Sequence, residues 1–195
     1  MKNAALIAKV LARRANLAES SQPHSNLFRF LSKKSEQKFV TAFANGLQSK
    51  DLQYYLTLWR GIRALNKPDF SAMQRILGTE IDLQNILWVY RLKRFYEISG
   101  DEVYGFLIPI RYRLSGDIFA QIVACKDISC LQAEIAKTIY KDVFEDFKQP
   151  EQHLANAVKK HYRAESRHSH IALLCGYLYE KALLLQASSP APQEA

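Results

Sequence analysis

The sequence has little of what a turn-rich or disulfide-framed protein needs. Its 195 residues include only 7 Gly and 6 Pro, which argues against a β protein built from many short strands and turns. It has 3 Cys, an odd number without a C-x-x-C motif. We therefore expect Cys125, Cys130 and Cys175 to be small apolar core residues in a reducing compartment.

Long apolar runs are also missing. The most apolar run, Ile171–Tyr179, ends at Glu180 and Lys181, whereas a bilayer-spanning helix needs roughly 20 apolar residues. The N-terminal segment carries Lys9 and Arg13 and lacks the continuous apolar stretch of a signal peptide. We expect an amphipathic helix there and no membrane crossing by this chain.

The overall composition is that of a globular protein with a basic balance. Apolar residues make up 48% and charged residues 24%, both ordinary values. The length suffices for one domain, or an array of small helical units, with a core. The net charge of +8 favours an anionic partner, which could be an acidic protein, a nucleic acid or a lipid surface.

The residue pattern is helical, because no segment alternates apolar and polar residues with a period of two. Pro, Gly and Ser/Asn clusters predict an all-α bundle or array of about eight or nine helices, joined mostly by short turns. Residues 1–50 are predicted to form N-terminal helices, residues 51–187 a helical domain, and residues 188–195 a disordered tail.

Individual residues predict specific helix boundaries. Gly78 is expected to interrupt one helix, with the next beginning near Glu80. A capping box starting at Ser129 predicts a helix to about Phe147. Pro150 suits the first turn of the helix that follows.

The segment Glu80–Tyr96 is apolar enough to be buried, yet it carries many charges. Wound as a helix, it has one apolar face around Leu83 and Leu87 and a second around Trp88. Because a helix that is apolar on two sides is packed on two sides, we expect it to be central. Its charges either hold neighbouring helices in register or contact a partner directly, since an unpaired buried charge costs several kcal/mol.

A histidine-rich stretch raises the question of a metal site. His161, His168 and His170 occur close together, with Cys175 nearby. The spacing does not match a known ligand pattern, because His168 and His170 diverge on a helix. A solvated basic loop is the favoured interpretation, with a pH-sensitive or anion-contacting patch as the alternative.

No pattern in the sequence predicts an enzyme. The best carboxylate pair, Glu145 and Asp146, is adjacent on a predicted helix and therefore points apart. No phosphate loop, nucleophile elbow or metal-ligand helix is present, and the scattered basic groups match no nucleic-acid motif. We interpret Tyr54 and Tyr55, with Trp59 and Arg60, as a core-and-rim helix face, with a partner hot spot as the alternative.

The stretch LGTEIDLQNILWVYRLKRFY, followed by YGFLIPIRYRLS, resembles the family of d-type and archaeal C-type subunits of V-type ATPases. Family members carry an E-x-D-L-x-N-I turn, then R-x-K on the same helix, then a hydrophobic Ile-Pro break. The matching residues are Glu80, Asp82, Leu83, Asn85, Ile86, Arg91, Lys93, Ile108 and Pro109. The resemblance extends over residues 51–185 and is densest across residues 76–114.

The resemblance implies a non-catalytic subunit without cofactor, nucleic acid or small-molecule substrate. Such subunits form a socket on the cytoplasmic face of the membrane, between the ring of proteolipid subunits and the central shaft, and pass torque for proton or sodium transport. By this resemblance a structural or interface role falls to Glu80, Asp82, Asn85, Arg91 and Lys93, and Pro109 fixes a helix break.

The chain also departs from the family pattern. Family members are longer and contain three similar helical units in a funnel, so the resemblance implies one to two units here. Their last helix usually carries glutamates and an asparagine where this chain has Ala182, Leu184 and Ala187. This departure keeps open a stand-alone helical adaptor, or a divergent relic without rotor function.

Overall fold

The computed structural model describes residues 52–188, apart from residues 97, 99, 145 and 146. In this part of the chain it has helices and no β-strand, which confirms the all-α prediction. The α-helices are α1 Leu52–Gly61, α2 Lys67–Phe95, α3 Gly100–Val103, α4 Gly116–Ala124, α5 Ile128–Ala136, α6 Pro150–Glu165 and α7 His170–Ser188. Short 3-10 turns follow α1 at Ile62–Ala64 and α3 at Tyr104–Phe106.

The number of helices in the described residues is lower than the eight or nine predicted for the chain. Six helices have at least nine residues, and α3 is a single turn of four. The predicted helices in residues 1–50 and residues 189–195 of the predicted tail lie outside the described residues.

The predicted break at Gly78 is wrong, because α2 continues through it. Asn66 is the N-cap of α2, and its side chain accepts a hydrogen bond from the Asp69 N–H at 3.1 Å, which satisfies one of the free donors of the first turn. A Gly inside a helix costs about 1 kcal/mol relative to Ala. Here it allows close packing, since a Cβ at this position would lie 2.4 Å from the Tyr112 ring.

The predicted helix from Ser129 to about Phe147 is also wrong in its extent. Asp127 is the N-cap, and α5 ends at Ala136. The Thr138 hydroxyl donates to the main-chain carbonyl of residue 135 at 2.7 Å and accepts from the N–H of residue 140 at 3.0 Å. These local hydrogen bonds compete with those of a continuing helix.

The core is organised around α2. This helix packs against α6 and α7, which also pack against each other, and it contacts α1, α4 and α5 as well. Every residue from Ile76 to Leu87 is buried, as expected of a central helix packed on more than one side. Pro150 begins α6, as predicted.

Ion pairs at the periphery join the three longest helices. The Arg75 guanidinium of α2 makes two hydrogen bonds of 2.7 Å to the Glu165 carboxylate of α6. Arg163 of α6 lies 3.0 Å from Glu180 of α7, and Lys159 lies 3.8 Å from the same carboxylate. These basic groups are therefore partly neutralised within the fold.

The prediction of three free cysteines is wrong for two of them. Cys125 and Cys130 form a disulfide across the connection from α4 to α5. The short connection brings their Cα atoms to 5.5 Å, a separation that a disulfide spans readily. Cys175 is a free thiol, and burial raises its pKa to about 11.

Candidate interface site

Asp82 is a fully buried carboxylate on α2. It accepts hydrogen bonds from the backbone N–H groups of Tyr112 at 2.9 Å, Arg113 at 2.7 Å and Leu114 at 3.3 Å. The Tyr140 hydroxyl donates to it at 2.7 Å. Hydrogen bonds to a carboxylate are stronger than those between neutral groups and offset the cost of its burial.

Tyr140 is suited to the donor role. Burial, and then the charge of Asp82, raise the pKa of this hydroxyl far above its usual value. The hydroxyl therefore keeps its proton at physiological pH and donates a hydrogen bond to the carboxylate.

Asn85 pairs with the backbone just before the Ile-Pro break. Its side-chain oxygen accepts from the Ile108 N–H at 2.9 Å, and its amide nitrogen donates to the Ile108 carbonyl at 3.0 Å. Pro109 lacks an N–H and disfavours helical geometry at the residue before it. The Asn85 amide thus satisfies an irregular, buried stretch of backbone.

Asp82 and Asn85 act together because residues three apart share a face of a helix. They fix residues 107–114, here called the anchored segment, along α2. Gly78 lies one turn before Asp82, and its missing side chain admits Tyr112 of the same segment. Asp82 and Asn85 are therefore partners for backbone polar groups.

Glu80 lies in different surroundings. Its carboxylate is buried and accepts a hydrogen bond from the Tyr55 hydroxyl of α1 at 3.5 Å. Burial, and then the charge of Glu80, raise the pKa values of Tyr54, Tyr55 and Tyr179. Tyr55 is fully buried, whereas Tyr54 and Trp59 are half-buried, which confirms the core-and-rim prediction for α1.

Arg91 and Lys93 lie towards the carboxyl end of α2. Arg91 forms an ion pair with Glu151 in the first turn of α6, and their side chains are 43% and 55% exposed. Lys93 lines a cleft with Arg94 and Lys126, and burial lowers its pKa.

The six residues that the sequence singles out thus do not form one site. Asp82 and Asn85 meet at the anchored segment, which contains Pro109. Glu80 lies among tyrosines, and Arg91 and Lys93 lie near the surface.

The histidine-rich stretch is divided between two helices. His161 is half-buried in α6, where burial lowers its pKa, His168 is exposed in the following turn, and His170 is the first residue of α7. Among the described residues, no group of three or more His, Cys, Asp or Glu side chains is placed to hold a metal ion. Glu145 and Asp146 lie outside the described residues.

The sequence did not identify several residues that build the site. Tyr140 and Glu165 contact α2 from distant parts of the chain, and no local pattern marks such contacts. Gly78 did carry a signal, because a Gly inside an apolar helical pattern often marks close packing. Local propensity alone favours a helix break there instead.

Across the described residues, no helix is both long and apolar enough to cross a membrane.

Comparison with known proteins gives the family. No curated protein matches the chain. A family model described as ATP synthase (C/AC39) subunit matches residues 16–183, well over half of the chain. The chain therefore belongs to the C/AC39 family of V-type ATP synthase subunits.

Proposed function

We propose that this chain is a non-catalytic subunit of a V-type rotary ATPase that couples the central shaft to the membrane proteolipid ring. It would bind peripherally on the cytoplasmic face and serve proton or sodium transport. The observation that carries the proposal is the family match over residues 16–183. The coupling role itself is the step that needs an experiment.

The contacts around α2 support a load-bearing role. Asp82 and Asn85 connect the central helix to the anchored segment, and Tyr140 adds a connection beyond α5. Buried, fully hydrogen-bonded polar groups favour one arrangement of the elements over others. A part that transmits torque needs such a fixed arrangement.

We assign the predicted residues two kinds of role within this function. Asp82, Asn85 and Glu80 stabilise the fold from within, and Pro109 fixes the break within the anchored segment. Arg91 and Lys93, near the surface at one end of α2, are the candidates for partner contact. Within the proposed organisation, residues 51–187 form the helical domain that carries both kinds of residue.

Co-purification tests the proposal. The tagged chain is isolated from gently solubilised membranes of the source cells, and its partners are identified by mass spectrometry. Recovery of both proteolipid-ring and central-shaft subunits is expected. A folded chain recovered without either, from membranes in which the ATPase is assembled, would overturn the coupling role.

A stand-alone helical adaptor is the second candidate, and the last helix favours it. Where family members usually carry glutamates, Ala182 is fully buried in α7 and Leu184 is 63% exposed. An adaptor would co-purify with other proteins and leave ATPase assembly unchanged when its gene is deleted. A protein with the coupling role would instead be required for assembly.

A further inference from the structure

A cleft lies between the carboxyl end of α2 and the start of α5. Its volume is about 470 Å³, enough for one or two partner side chains. It is here called the cationic cleft, and its lining residues are Tyr90, Lys93, Arg94, Phe95, Lys126, Asp127, Ile128 and Leu131.

The charges of the cationic cleft are unbalanced. Among the residues that the structure describes, Lys93, Arg94 and Lys126 line it with a single carboxylate, that of Asp127. This carboxylate already accepts a hydrogen bond from the Cys130 N–H at 2.7 Å. An excess of positive charge in a partly enclosed site attracts an anionic group.

Apolar groups complete the surface. Phe95 is 65% exposed, and the neighbouring Tyr96 is 70% exposed. The Arg94 guanidinium lies 5.7 Å from the centre of the Phe95 ring. Exposed aromatic and Arg side chains in one place are typical of the residues that dominate protein–protein interfaces.

Both walls of the cationic cleft are held in place. Tyr90 stacks on Phe147, with ring centroids 4.3 Å apart. The opposite wall, residues 126–128, lies between the two cysteines of the Cys125–Cys130 disulfide. A preorganised surface loses less conformational entropy on binding.

We propose that the cationic cleft binds an acidic peptide segment of a neighbouring protein in the ATPase. Carboxylates of that segment would face Lys93 and Lys126, and one aromatic or aliphatic side chain would enter between Phe95 and Leu131. This inference rests on the proposed function for the source of the segment, and on the charges and apolar groups of the cleft for its chemistry.

Charge favours an acidic partner segment over other occupants. Residues 1–51 of the chain carry many more Lys and Arg than Asp and Glu, so they are poorly matched to the cleft. A nucleic acid is bound by many basic side chains that contact successive phosphates. Arg75, Arg91 and Arg163 instead form ion pairs within the fold, which disfavours a nucleic acid.

A selection experiment identifies what the cleft prefers. A random peptide library is selected on the full-length chain and counter-selected on the double variant Lys93→Glu/Lys126→Glu. We expect the retained peptides to be rich in Asp and Glu and to share one aromatic or aliphatic position. The affinity of a synthesised peptide should fall roughly tenfold or more for the double variant, since two favourable charge pairs are replaced by repulsion.

A charge exchange shows that the double variant is folded. The same peptide with Lys in place of its acidic residues should bind the double variant better than the parent chain. Lys67→Glu is the matched control and should leave binding unchanged, because Lys67 opens the 29-residue α2 and lies about 39 Å from Lys93 along it at 1.5 Å per residue.

The outcomes separate this inference from the proposed function. Retained peptides without acidic residues, or no peptide that depends on the two lysines, would overturn the inference, as would lysine-dependent binding of only duplex DNA or phosphatidylserine vesicles. Acidic-peptide binding together with failed co-purification would overturn the coupling role and leave the cationic cleft intact. Recovery of the ATPase subunits by co-purification, together with no binding of acidic peptides, would overturn the inference on the cationic cleft and leave the coupling role intact.

Discussion

The carboxylate of Asp82 accepts a hydrogen bond of 2.7 Å from the hydroxyl of Tyr140, 58 residues further along the chain. Asp82 also accepts from the backbone of the anchored segment. One buried carboxylate thus joins the central helix, the segment after the Ile-Pro break and the turn that follows α5. The resemblance marked Asp82, but only the fold shows what it holds together.

Removing either partner of this contact should destabilise the fold. Tyr140→Phe deletes one hydrogen bond to a buried charge and should cost about 2 kcal/mol. Asp82→Asn should cost about 3 kcal/mol or more. The new Asn side chain has only one acceptor oxygen, and its NH₂ group either faces backbone N–H donors or turns away and leaves them without an acceptor. Urea unfolding measures both changes.

A variant that carries both Tyr140→Phe and Asp82→Asn provides the control for this contact. If Asp82 and Tyr140 interact as described, the effects of Tyr140→Phe and Asp82→Asn should be clearly non-additive. Additive effects, or a Tyr140→Phe variant as stable as the parent chain, would contradict the contact.

Gly78→Ala should destabilise the chain although Ala is the better helix former. The added Cβ would lie 2.4 Å from the Tyr112 ring, so the anchored segment must shift, at a cost of about 1–3 kcal/mol. Gly61→Ala is the matched control, because nothing lies within 4 Å of a Cβ there. It should be neutral or slightly stabilising in thermal unfolding, and equal effects of the two substitutions would refute the close packing.

These positions show how far the sequence determined the structure. Two apolar faces on one helix were enough to predict that α2 is central, because burial follows directly from periodicity. Its continuity through Gly78 was not predictable from local propensity, because a contact with Tyr112 overrides it. The partners of Asp82 and Asn85 lie more than 20 residues away, and long-range pairing leaves no periodic pattern.

The free energy of unfolding should fall in acid, because protonation of Glu165 breaks its ion pair with Arg75. The hydrogen bonds from Arg75 lower the pKa of Glu165 below its usual 4.5. The pair therefore stabilises the fold above about pH 4.5, and this contribution is lost as the pH falls through the lowered pKa of the folded state. Because the Arg75 side chain is 42% exposed, we expect only about 1 kcal/mol.

Glu165→Gln removes this titration, because the Gln side chain does not titrate, and it also removes the carboxylate charge that counteracts the lowering of the His161 pKa. The lowered pKa of His161, which burial causes, also weakens the fold in acid, but from about pH 6.5 downwards. The stability difference between the parent chain and Glu165→Gln should therefore shrink mainly below pH 4.5. A difference that stays constant from pH 7 to pH 3 would contradict the assignment.

Alkylation with iodoacetamide should distinguish the three cysteines. In the native chain, burial and a pKa of about 11 protect Cys175, and the disulfide protects Cys125 and Cys130. Denaturation without a reductant should expose only Cys175, and denaturation with a reductant all three. Three labels after denaturation alone, counted by intact mass, would show that the disulfide is absent.

The ion pair between Arg91 and Glu151 allows a test of whether Arg91 contacts a partner. Both side chains are about half exposed, so breaking the pair should cost less than about 1 kcal/mol in stability. Arg91→Ala and Glu151→Ala remove the same pair and should both lower the free energy of unfolding, Glu151→Ala somewhat more because Glu151 also lies in the first turn of α6, where its charge favours the helix dipole. If Arg91 also contacts a neighbouring protein of the complex, only Arg91→Ala should reduce recovery of partners in co-purification. A loss of partners seen only with Arg91→Ala cannot come from the ion pair, because both variants lose that pair. Equal recovery with the two variants would limit Arg91 to a structural role.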